Sequence, residues 1–151
     1  MSVDENKAVV RQLVERTAAG DSSSIDELTT DDFVLHVLWG EGREGDRQVW
    51  KRTNDGGHVS FPDYSMAIDD MIAEGDKVMV MSTRRGTHTG QFATIAPTGK
   101  KLKVFRFALY RLEDRKVAEM WVMDDQLGQF QELGVLPAQA EFIRAYKESH
   151  E

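Results

Sequence analysis

The chain has 151 residues, of which 40% are apolar, which is enough to bury one core and too little for two domains of ordinary size. Its formal charge of −7, with no extended Lys/Arg cluster, excludes a phosphate-binding nucleic-acid surface. With no cysteine there are no disulfides, thiolate nucleophiles or cysteine-held metals. No basic-then-apolar leader opens the sequence and no apolar run approaches bilayer length, so a cytoplasmic, non-membrane protein is expected.

In chain order, "DENKAVVRQLVERTAAG" sets Val9, Val10, Leu13 and Val14 at helical spacing, with Asp4 as the expected N-cap and Gly20 as the stop. A short helix follows from the serines to about Leu28, and "FVLHVLWGEG" reads as an apolar strand closed by glycines. "REGDRQVWKRTNDGG" puts Val49, Trp50 and Thr53 on one side of a third helix that Gly56 and Gly57 should end. From "FPDYSMAIDDM" onward the pattern turns to β. "KVMVMSTRRGTHTG", "KKLKVFRFALYRL" and "KVAEMWVMDD" are long strand-like runs divided by turn residues, which predicts an α+β domain with an antiparallel meander. After Pro137, Phe142, Ile143 and Tyr146 return to helical spacing, so residues 137–151 read as a helical extension of a domain spanning 1–136.

Four stretches, "FPDYSMAIDDMIAEGDKVMV", "RRGTHTGQFATIAPTGKKL", "YRLEDRKVAEMW" and "DQLGQFQELG", stand in an order and spacing that resembles the SnoaL-like polyketide cyclases. These belong to the nuclear transport factor 2-like superfamily, with ketosteroid isomerases and limonene epoxide hydrolase-type enzymes. The resemblance covers roughly residues 5–135. It implies a cone, in which a curved antiparallel or mixed sheet wraps the N-terminal helices around a pocket, and it implies a homodimer. Fold alone does not fix the reaction.

Neighbouring strand residues point to opposite faces, so Asp124 and Asp125 cannot share a cavity. If "LEDRK" closes as a three-residue loop, positions summing to about 228 pair, and Arg106, Ala108, Tyr110, Met120, Val122 and Asp124 share a face. A two- or four-residue loop would instead join Arg106 and Ala108 to Trp121, Met123 and Asp125. The resemblance favours the first register, because the cyclases carry their polar pocket residues and acid/base aspartate at positions matching Arg106, Ala108 and Val122. It also exposes a departure: where those cyclases have glutamine, histidine and aspartate, this chain has arginine, alanine and valine.

Asp124 is then the expected carboxylate for acid/base work. Beside Arg106 it would instead stay ionised, as an electrostatic anchor or as half of an ion pair tying two strands. Asp125 is expected to cap the following helix. His36 is the second catalytic candidate, because its strand supplies pocket residues in this superfamily. The expected substrate contacts are Arg106, Ala108, Tyr110, Met120 and Val122, an aromatic wall from Trp39 and Trp50, and His88 at the rim. His58 and His150 read as loop and tail residues. No spacing suggests a metal site, and "GEGREG" matches no phosphate loop, so cofactor-free chemistry is expected. The function expected is an isomerase, cyclase or hydrolase acting by acid/base catalysis on a small apolar, aromatic or polyketide-like molecule. The alternative is a non-catalytic binding protein on the same fold.

The opposite face would show Phe105, Phe107, Leu109, Trp121 and Met123, apolar enough to pair two copies unless the C-terminal helix covers it.

Overall fold

The computed structural model describes residues 2–150. Helices α1 (Val3–Ala18) and α2 (Ser23–Leu28) precede strands β1 (Thr29–Val37) and β2 (Arg43–Gly45), and α3 (Arg47–Ser60) follows. Strands β3 (Ser65–Glu74), β4 (Lys77–Thr87), β5 (Lys101–Glu113) and β6 (Lys116–Asp124) complete the sheet, and α4 (Gln126–Glu132) and α5 (Gln139–Glu148) end the chain. The six strands lie in the order β2-β1-β6-β5-β4-β3. All neighbours are antiparallel except β1 and β6, so the sheet is mixed. Among the described residues no helix is long and apolar enough to cross a membrane.

Helix α1 begins on Ser2, not Asp4. The Ser2 hydroxyl accepts from the Glu5 amide and the Glu5 carboxylate accepts from the Ser2 amide, a reciprocal box that satisfies two otherwise orphaned donors. The inner side of α1, with Val10, Leu13 and Val14, packs with Ile25, Phe33, Val78, Val80, Val117 and Met120 in the main core. A second, smaller cluster of Phe61, Leu102, Val104 and Leu133 lies toward the other end of the sheet.

Gly56 and Gly57 do not end the third helix, which runs on to Ser60. Each interior glycine costs about 1 kcal/mol relative to alanine, and tertiary anchors offset it. The His58 ring bonds the Thr17 carbonyl at 3.1 Å, and the Ser60 hydroxyl donates to the carbonyls of Gly56 and Gln91. Strand β2, unseen in the glycine-rich sequence, pairs through Leu35↔Gly45 and Val37↔Arg43 and folds the intervening loop back on β1.

The β5–β6 hairpin corrects the predicted register. Glu113 pairs with Lys116, so the loop is two residues, Asp114 and Arg115, both left-handed at φ 46° and 65°, as a type I′ turn requires. That loop alone would reverse the strand parity. However, Leu112 pairs with Val117 and Arg111 with Glu119, leaving Ala118 as an extra residue that restores it. Arg106 therefore faces Asp124 rather than Val122, and Ala108 faces Val122 rather than Met120. The shared face is the predicted one, reached through a turn and a bulge that compensate each other.

Candidate functional site

A cavity of about 570 Å³ opens between the concave face of the sheet and α3, within the range that holds a small organic molecule. Its apolar wall comes from Leu35 and Val37 of β1, Met120 and Val122 of β6, and Val49 and Trp50 of α3, with Trp39 from the β1–β2 loop. Parallel pairing of Leu35 with Met120 and Val37 with Val122 sets these side chains in one layer. Trp50 stacks on Phe33 with ring centroids 5.3 Å apart, which fixes the aromatic wall from behind.

The polar part of the lining comprises Arg84, Arg106, Tyr64, His58, Asn54 and Thr53, with Glu41 in the β1–β2 connection and Arg43 and Glu44 on β2. Asp124 organises it. Arg106 grips the Asp124 carboxylate in a fork, Nε to Oδ1 at 2.7 Å and Nη2 to Oδ2 at 2.9 Å. Arg84 Nη1 approaches Oδ2 from β4 at 2.9 Å. Arg84 also donates through Nε to the Tyr64 hydroxyl at 3.2 Å and lies over that ring. The His58 ring meets Tyr64 edge-on at 5.1 Å, so the polar groups form one connected set.

The Asp124 side chain is only 2% exposed. Burial opposes its ionisation, but the Arg106 charge and hydrogen bonds, reinforced by Arg84, outweigh it and hold the carboxyl below the usual aspartate range. Burial likewise works against the Arg106 cation, and Asp124 more than compensates. Burial pushes the Tyr110 phenol up, keeping it neutral. Asp124 is thus held ionised as the partner of two guanidiniums and lies behind them, outside the cavity lining.

Of the expected contacts, Arg106, Met120, Val122, Trp39 and Trp50 line the cavity. Ala108 and Tyr110 share their face but lie in the core beyond it. His36 is on the outer face, stacked on Trp121 at 4.9 Å and within 3.3 Å of both Glu44 and Glu119, because cavity-facing positions on β1 are the odd-numbered Leu35 and Val37. His88 is fully buried beside Phe61 and Phe92, where Nδ1 accepts from the Thr98 amide at 3.2 Å. It fixes the β4–β5 loop and does not reach the cavity. Asp125 caps α4, accepting from the Gly128 amide at 2.9 Å.

Among the polar lining residues that the sequence does not mark, three belong to the connected set around Asp124. The two glycines before His58 point to a loop at that position. Tyr64 sits in the link from α3 to β3, where no periodicity applies. Arg84 was legible only through strand parity, since Arg84 opposite Val104 places it on the same face as Arg106.

Helices packed into a curved mixed sheet, with a cavity at the concave face, define the class, and the chain belongs to the SnoaL-like polyketide cyclase family, whose model matches residues 7–133. Its structure is similar to AclR, a proposed hydroxylase from Streptomyces galilaeus, at 26% identity over 99% of both chains with a TM-score of 0.83. It is also similar to IdmH, a proposed polyketide cyclase from Streptomyces antibioticus, at 26% identity over 85% of this chain and 98% of that one, TM-score 0.75. An LEH-like epoxide hydrolase from M. tuberculosis shares the fold at 14% identity, covering 87% of this chain and 90% of that one, with a TM-score of 0.66. No curated protein matches the chain.

Proposed function

We propose that this chain is an enzyme acting by acid/base catalysis, with its own side chains, on a small, largely apolar, polyketide-like carbonyl compound held in the cone cavity. The observation that carries this reading is one cavity joining an aromatic wall, Trp39 and Trp50, to a connected polar set, His58, Tyr64, Arg84 and Arg106. The Thr17 carbonyl can only accept, so the His58 Nε2 carries the proton and the free lone pair lies on Nδ1. His58 takes the role of base toward a carbon next to the carbonyl, and the arginines stabilise the oxygen on which charge develops. Asp124 positions the arginines and is not itself the base, since a carboxylate held by two cations is a weak one.

A second reading, a binding protein without catalysis, is favoured by Ala108 and Val122 at positions where the family's cyclases carry acid/base groups. Deuterium uptake from D2O into the α-carbon of 2-tetralone separates the two. The enzyme reading predicts accelerated exchange that is lost in His58→Gln. Binding of the ketone without any acceleration supports the second reading.

We also propose a homodimer joined by the outer sheet face, in the cytoplasm. Phe105, Phe107 and Met123 are each about half exposed there, and α5 does not cover them, since Phe142, Ile143 and Tyr146 are themselves exposed.

A further inference from the structure

We infer that the natural ligand presents an ionised oxygen, a carboxylate or a phenolate/enolate, to Arg84 and Arg106 at the polar end of the cavity. The inference rests on the cavity being the ligand site, as proposed above.

Charge counting gives the first argument. Arg84 and Arg106 carry two positive charges and share one carboxylate, Asp124. Tying β5 to β6 needs only the Arg106 fork, which already engages both carboxylate oxygens. The second guanidinium leaves one positive charge in excess at a cavity wall shared with Met120 and Val122, a charge that an anionic ligand group would balance.

Donor counting gives the second. Asp124 takes Nε and Nη2 of Arg106 and Nη1 of Arg84, and the Tyr64 hydroxyl takes Nε of Arg84. Among the described residues no protein acceptor engages Arg106 Nη1 or Arg84 Nη2, and neither nitrogen is sealed from solvent. Two guanidinium ends with free N–H groups at one cavity wall suit an oxyanion, which forms shorter and stronger bonds to them than a neutral carbonyl does. The other titratable and charged groups around the cavity are Tyr64, His58, Glu41 in the β1–β2 connection, and Arg43 and Glu44 on β2. The last three are exposed, so solvent screens them.

Three probes test this, with binding read by calorimetry: 2-naphthoate, the neutral isostere 2-naphthamide, and 4-nitrophenol, whose phenolate has its own absorption band. The expected result is naphthoate binding about tenfold or more tighter than naphthamide, with the preference lost in Arg84→Gln. Asp124→Asn, if it folds, raises the local charge and strengthens the preference; Arg84→Gln leaves the Arg106 fork intact and carries the test alone if it does not. Preference for naphthoate with 4-nitrophenol left neutral identifies a carboxylate ligand. Phenolate formation on binding, below the pH at which free nitrophenol ionises, identifies a phenolate or enolate. Equal binding of naphthoate and naphthamide with no phenolate band overturns the inference and leaves the proposed ligand site standing. Failure of all three to bind overturns both.

Discussion

Arg106 and Asp124 face each other across β5 and β6 and are joined by two hydrogen bonds of 2.7 and 2.9 Å. Because Arg84 reaches the same carboxylate from β4, one aspartate holds three adjacent strands at the polar end of the cavity. Replacing it with Asn strands two cations. The stability loss should approach but not exceed about 3–5 kcal/mol, the range for fully buried pairs, because both guanidiniums keep a face to the cavity. Urea denaturation of Asp124→Asn measures it; a loss under about 1 kcal/mol would mean the cluster is solvated like a surface pair.

The same pair sets an acid limit. Asp124 is held below its ordinary pKa in the folded chain, so its contribution is fully present above the unfolded value of roughly 3.9 and is lost as pH falls through the folded value. The stability gap between wild type and Asp124→Asn should therefore hold at neutral pH and close only below about pH 4. A gap that closes between pH 5 and 7 would contradict an ionised, doubly paired carboxylate.

Gly90 fixes how the β4–β5 loop meets the end of α3. A Cβ there would sit 1.9 Å from the Val59 carbonyl oxygen, while the Gly90 amide donates to the Ser60 carbonyl at 3.0 Å. Backbone cannot yield as a side chain can, so Gly90→Ala should cost at least about 1–3 kcal/mol. Calorimetric melting of that variant tests it, and an unchanged midpoint would show that the loop is free to move.

Much of this was readable in the sequence because strand alternation carries the information. The runs around Val78, Val104 and Val117 mark the sheet strands; alternation alone leaves two faces open for Asp124, and the family resemblance selects the one that carries Arg106 and Val122. What failed lay outside periodicity. The Ala118 bulge leaves no mark in the hydrophobic pattern, so the sequence pairs Arg106 with Val122, two residues short of Asp124. Gly56 and Gly57 signal a helix end, yet contacts with Thr17 and Gln91, distant in sequence, carry α3 through them and bring His58 to the cavity. His36 faces outward because which parity of β1 turns inward depends on its parallel pairing with β6, which local sequence does not encode.

The outer face supplies an independent prediction. Burying a Phe side chain is worth about 1.5–3 kcal/mol, so the Phe105, Phe107 and Met123 patch should hold two copies together with two-fold symmetry. Light scattering should give twice the 17.1 kDa chain mass, falling toward one chain in Phe107→Glu. A wild-type mass near 17.1 kDa would refute the dimer.

The central claim, that ligand chemistry belongs to the cavity between α3 and the concave sheet, has a direct test built into the chain. Of its three tryptophans, Trp39 and Trp50 line the cavity, whereas Trp121 stacks on His36 on the far side of the sheet. Titration with 2-naphthoate, followed by the three indole N–H resonances, should shift those of Trp39 and Trp50 together and leave that of Trp121 in place. A shift confined to Trp121, or none at all at saturating naphthoate, would contradict the account.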